Sequence, residues 1–123
     1  MSRIVEVGSK KYTQVVCLDE PGAGGACHEY EVRAVPLPGS FSDTDVFARV
    51  SFQNGPIKEN GVNGCHQEDL LAIVVDRLQC FQKGEFACRE NAIALTKIEE
   101  ALMWLRKRTQ DRINRGVEGT SNK

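Results

Sequence analysis

The stretch from Cys88 to Thr120, CRENAIALTKIEEALMWLRKRTQDRINRGVEGT, constrains the fold more than any other part of this chain. On a helical wheel advancing about 100° per residue, Ala94, Leu95, Ile98, Ala101, Leu102 and Leu105 form one apolar stripe. Asn91 enters that stripe at its start, and Arg108, Arg112 and Arg115 follow its edge within an arc of about 60°. A helix from Cys88 to Arg115 is about 42 Å long, with Gly116 as its stop. A shorter apolar segment precedes it, from Cys65 to Gln82, with Leu70, Leu71, Val74, Val75, Leu78 and Phe81 on one side and Glu68 and Asp69 near its N-terminus. Lys83-Gly84-Glu85 breaks the two apart. The shorter arm of this hairpin, about 25 Å, cannot cover the longer one. Ile93 and Trp104 lie off the main stripe and call for a second buried contact, most simply another copy of the chain.

Before residue 62 the hydrophobic period is two rather than 3.6. Ile4–Val7 and Tyr12–Leu18 read as strands, rich in β-branched residues. His28–Val35 alternates with Tyr30, Val32 and Ala34 on one face, and Val46–Phe52 with Val46, Ala48, Val50 and Phe52 inward. Asn54-Gly55 is a turn signal, and Ile57-Lys58-Glu59 after Pro56 reads as a short edge strand. Residues 36–45, PLPGSFSDTD, form a turn-rich connector. The glycine-rich Glu20–Ala26 lacks both G-x-G-x-x-G and a following Lys-Ser/Thr, so a hairpin connection is expected there, not a phosphate cradle. The expected fold is α+β: one domain over 1–123, with a strand-rich antiparallel sheet in 1–62 and a helical hairpin in 65–116.

A net charge of −1 over 123 residues gives no global basic field for DNA, so anion binding must come from a local cluster. There is no apolar run of membrane-spanning length and no signal-peptide core in MSRIVEVGSK, so a cytosolic location is expected. Five cysteines, an odd number without framework spacing, read as free thiols. The dipeptides Cys27-His28 and Cys65-His66 offer four zinc ligands, but adjacent ligands are unlike C-x-x-C, and no metal or cofactor is expected. Neither a paired acid nor a nucleophile–base pair emerges, so no catalytic residue is assigned.

Arg108, Arg112 and Arg115 repel one another weakly at their spacing, and the ordinary account is that they favour the helix C-terminus, helped by Asp111. Their place beside the apolar stripe instead suits a bidentate grip on phosphate, strongest where copies bring several guanidiniums together. Asn91 can cap backbone or read a purine edge. Phe81, across the turn from it, either packs in the core or stacks on a base.

The segments FQNGPIKENGVNG (Phe52–Gly64), GAGGACHEYEVR (Gly22–Arg33) and Asp69–Thr120, above all ENAIALTKIEEALMWLRKRT…DR…RGVEGT, closely resemble phage-encoded Thoeris anti-defence sponges. These share a helical hairpin with the anti-CBASS cyclic-oligonucleotide sponges. The resemblance implies an α+β protein acting in the cytoplasm of the infected bacterium as a homodimer or a trimer of dimers, a hexamer. It implies binding without hydrolysis of cyclic ADP-ribose isomers made by TIR-domain enzymes, and of cyclic di- or trinucleotides of CBASS immunity at a separate site. By motif, Phe81 and Asn91 match the first pocket, and Arg108 and Arg112 match the phosphate clamp of the second. Relatives often carry a basic residue where this chain has Ile57; Lys58 follows it, but on the opposite face of a strand. The rival functions are a phage structural or regulatory interaction protein using the long helix, and a signal-degrading enzyme.

Overall fold

The computed structural model describes residues 2–36 and 45–123, so the 36–45 connector lies almost wholly outside the described residues. The chain divides into two compact units, Met1–Cys65 and His66–Lys123.

The first unit is built on four antiparallel strands in sequential order: β1 (Arg3–Ile4), β2 (Thr13–Cys17), β3 (Glu29–Ala34) and β4 (Val46–Ser51). Their β-branched and aromatic residues favour extended backbone. Burial does not follow simple alternation: β2 buries the adjacent Val16 and Cys17, and in β4 Val46 and Ala48, expected inward, are exposed while Val50 is half-buried. Cross-strand register sets Cys17 against Tyr30 and Tyr30 against Val50 on one face. On the other face Val16, Glu31 and Arg49 align. Tyr30 and Phe52 meet edge to face at 5.8 Å. The opposite face buries Glu31 between Arg33, at 2.7 Å, and Arg49, at 3.3 Å, so its charge is compensated on both carboxylate oxygens. A bulge between Val32 and Arg33 shifts the last β3–β4 pairing.

Ile57-Lys58-Glu59 does not form an edge strand. Ile57–Asn60 is a single helical turn, α1, entered through Pro56 and ended by Gly61 at φ 73°. The cause is a long-range clip. Asn63 donates its amide to Asn54 O (2.7 Å) and accepts from Asn54 N (2.8 Å), while Gln53 donates to Gly61 O (2.7 Å) and accepts from Asn63 N. These bonds close residues 53–63 into a loop too tight for an extended segment. Gly64 permits the closure, because a Cβ there would stand 2.5 Å from the Phe52 backbone.

The second unit is the helical hairpin, α2 (Gln67–Gln82) and α3 (Arg89–Asn114). Asp69 accepts from His66 N at 2.9 Å, satisfying a donor at the start of α2. Gln82 bonds both backbone groups of Cys88 and so fixes the α2–α3 turn. At the far end Val117 N reaches Arg112 O and Gly116 N reaches Ile113 O, a Schellman stop around Gly116 at φ 74°. The stripe predicted for α3 is packed except at Ala101, which is exposed: Leu102 is buried, Ala94, Leu95, Ile98 and Leu105 are half-buried, and Thr109 continues the half-buried line. No helix among the described residues is long and apolar enough to cross a membrane.

Candidate functional site

Trp104, Lys107, Arg108, Asp111 and Arg115 recur at spacings that place them on one face of the last three turns of α3. With Arg112 and Lys123 they line an open groove of about 460 Å³. Five cationic side chains face one carboxylate there, and that carboxylate, Asp111, is already paired with Lys107 at 2.7 Å. Trp104 is 57% exposed, a flat apolar wall beside the cations. Arg108 is exposed and has no ion-pair partner among the described residues. The arrangement suits an anion that also carries a planar ring: guanidiniums for phosphate oxygens, indole for stacking.

Arg112 lines the same groove in a different state. Its guanidinium donates to Glu118 Oε2 (3.2 Å), Val117 O (3.0 Å), Thr120 O (3.1 Å) and Asn122 O (2.8 Å), and its side chain is only 12% exposed. Nε, Nη1 and Nη2 thus all engage the C-terminal tail. Arg115 makes a similar bond to Lys123 O. The two arginines matched to a phosphate clamp are therefore together in space, one open and one engaged by its own chain.

At the other end of the hairpin Phe81 lines a depression of about 270 Å³ with Arg77, Cys80, Gly84 and Phe86. The Arg77 guanidinium lies 5.0 Å from the centroid of the Phe81 ring, and Phe86 is 71% exposed. Asn91 is three residues past the helix cap Cys88, whose Sγ accepts its backbone N–H at 3.4 Å; its half-buried side chain is not among those lining the depression. Lys58 belongs to the first unit, exposed on α1, where a helix sets it about 100° from Ile57 and not on an opposite face.

A third grouping lies beside the sheet. Cys17 Sγ, Cys27 Sγ and an Asp19 carboxylate oxygen fall within 4.8 Å of one another. Burial pushes the Cys17 thiol up. At Asp19 burial opposes ionisation, but the N–H groups of His28 and Glu29 outweigh it and hold the carboxyl below its ordinary value.

Sequence reasoning read Trp104 as a contact to another copy rather than a groove wall, and passed over Lys107 and Lys123 in the groove and Arg77 and Phe86 at the turn. The i, i+4 spacing of Arg77 and Phe81, and of Trp104 and Arg108, was the available signal.

A family model described as Acb2/Tad1, hairpin domain, matches residues 44–110, a span that takes in β4, α1, α2 and most of α3. The chain is 63% identical over 76 residues to a protein of Bacillus phage SBSphiJ7 named Thoeris anti-defense 1. That alignment covers 62% of this chain and 54% of the relative, so the match spans about half the relative's length. The chain belongs to the Acb2/Tad1 hairpin-domain family.

Proposed function

We propose that the protein is a non-enzymatic sponge that sequesters cyclic nucleotide signals of bacterial anti-phage immunity. It acts in the cytoplasm of the infected host. The observation that carries this reading is the pairing, on one hairpin, of an aromatic depression at the α2–α3 turn with a cationic, tryptophan-walled groove at the end of α3. Both suit ligands that combine bases with phosphates. The name of the phage relative, Thoeris anti-defense 1, supports the biological setting.

On this reading Phe81 stacks a base of a cyclic ADP-ribose isomer and Asn91 bonds its edge, while Lys58 is a ligand-binding residue of the first unit. Arg108 and Arg112 clamp the phosphates of a cyclic di- or trinucleotide. Assembly as a homodimer or a trimer of dimers fits a hairpin on which Ile73, Ile93, Met103 and Ile113 remain exposed. A sponge works by stoichiometry, so each dissociation constant lies below the signal concentration.

The test is calorimetric titration with a glyco-linked cyclic ADP-ribose and, separately, a cyclic trinucleotide, followed by heating and chromatography of the ligand. Tight binding with unchanged ligand recovered is expected. Phe81→Ala abolishes binding of the first ligand only, and Arg108→Ala that of the second only. Altered ligand makes the protein an enzyme; no heat with either ligand removes the sponge reading.

A further inference from the structure

We propose that Cys17, Cys27 and Asp19 form a binding site for a thiophilic divalent cation of the zinc class. Cys17 ends β2, and Cys27 stands two residues before β3. The strand pairing, not sequence spacing, brings the thiols together across a nine-residue loop.

The geometry is close to what a tetrahedral ion requires. With Zn–S near 2.3 Å and Zn–O near 2.0 Å, ligand atoms around zinc stand about 3.5–3.8 Å apart. Cys17 Sγ lies 3.7 Å from Asp19 Oδ1, and all three ligand atoms lie within 4.8 Å, so small side-chain rotations complete the set. The groups behind the ligands are those that support a metal. The His28 and Glu29 N–H groups donate to the Asp19 carboxylate at 3.0–3.2 Å, and buried His28 brings Nδ1 to 3.9 Å from Asp19 Oδ2. The Arg3 guanidinium approaches Cys27 Sγ at 3.8 Å, as an N–H donor to a thiolate does. Such outer partners orient ligands and stabilise their ionised forms. The charges also close: two thiolates and a carboxylate are balanced by a divalent ion and Arg3. Water or His28, after a rotation, supplies the fourth position.

An independent reason for a staple here is the thin core. Among the described residues of the first unit, Val16 and Cys17 are the buried apolar side chains. A unit of this size gains stability from a metal that ties its loops. The ion would anchor the residue 18–28 loop to the end of β2, with Arg3 of β1 as an outer partner of Cys27.

The experiment uses the reduced, chelator-treated full chain titrated with Co²⁺. One equivalent is expected to bind, with a thiolate-to-cobalt charge-transfer band and the strong visible absorption of a four-coordinate ion, both bleached by Zn²⁺. Cys27→Ser, at a half-buried position, weakens Co²⁺ binding by about 100-fold with unchanged circular dichroism, and His28→Asn weakens it by about ten-fold. Cys80→Ser and Cys88→Ser change nothing. Absence of the charge-transfer band in the native chain, or its survival in Cys27→Ser, overturns the site. So does a Cys17–Cys27 disulfide that forms on mild oxidation at the same rate with and without zinc.

Discussion

Removal of residues 118–123 tests how the arginine groove works. In the full chain Arg112 must break its bonds to Glu118, Val117, Thr120 and Asn122 before it can turn to a phosphate. Those four bonds contribute roughly 0.5–1.5 kcal/mol each, somewhat more for the charged one. Ordering the tail costs on the order of 1 kcal/mol per residue, so most of that gain is offset. Gain and cost are of the same size, so the net docking free energy is no more than about 1–2 kcal/mol, small enough for a ligand to displace the tail. Truncation after Val117 keeps the Schellman bond and frees Nε and Nη1. The affinity for a cyclic trinucleotide should rise, by up to about 5–30-fold, the factor that corresponds to 1–2 kcal/mol. In the full chain Glu118→Gln, which removes only a partly exposed ion pair, should give about 2–5-fold. Titration calorimetry reads both. Hydrogen exchange checks the premise separately: Arg112→Ala should remove protection from the Thr120 amide, which bonds Val117 O. Unchanged or weaker ligand binding by the truncated chain would refute the competition, and retained protection in Arg112→Ala would refute the anchoring itself.

Three further outcomes follow from the geometry. Leu102→Ala removes the buried apolar side chain of the hairpin and should cost about 2–4 kcal/mol in denaturant unfolding. Gly64→Ala should destabilise the first unit by about 1–3 kcal/mol, because its Cβ meets the Phe52 backbone rather than a flexible side-chain end; a thermal midpoint equal to that of the native chain would contradict the closure of the 53–63 loop. In chelator-treated protein the Asp19 carboxyl titrates below its ordinary value, so its contribution is present above the unfolded carboxylate range and is lost as pH falls through the lowered folded value. The His28 and Glu29 amides should lose exchange protection over that acidic window, and Asp19→Asn should abolish the pH dependence.

The parts of the fold legible in the sequence were those set by local periodicity. Alternation at Tyr30, Val32 and Ala34 located β3, and the 3.6-residue stripe through Leu102 located α3 and its packed face. Gly116 marked the helix stop because only a residue at ease with positive φ closes a Schellman motif without strain. The parts not legible depend on partners distant in sequence. Ile57–Asn60 is too short for periodicity to separate strand from helix, and Asn63, acting on Asn54, decides it. Arg112 has the same local surroundings as Arg108, one turn away. What separates them is a tail that folds back only after Gly116 reverses the chain. The nearness of Cys17 and Cys27 likewise follows from the β2–β3 register, which spacing alone does not give.

The hairpin's incomplete core and its two candidate sites have a common consequence. Leu102 is the buried apolar side chain among the described residues of α2 and α3, while Ile73, Ile93, Met103 and Ile113 remain open to solvent. Two helices of unequal length cannot bury both of their apolar edges against each other, so the edge of α3 gains most from a second copy. On the sponge reading, a ligand gripped by residues of more than one copy binds the assembled protein and not the free chain. Ligand binding and assembly then draw on one equilibrium: each ligand raises the dimer's apparent stability, and dilution of the protein weakens its grip on the ligand. A ligand held by one copy alone would show neither dependence. The protein-concentration dependence of affinity therefore separates a groove completed by a neighbour from one that Trp104, Lys107, Arg108 and Arg115 build on a single α3.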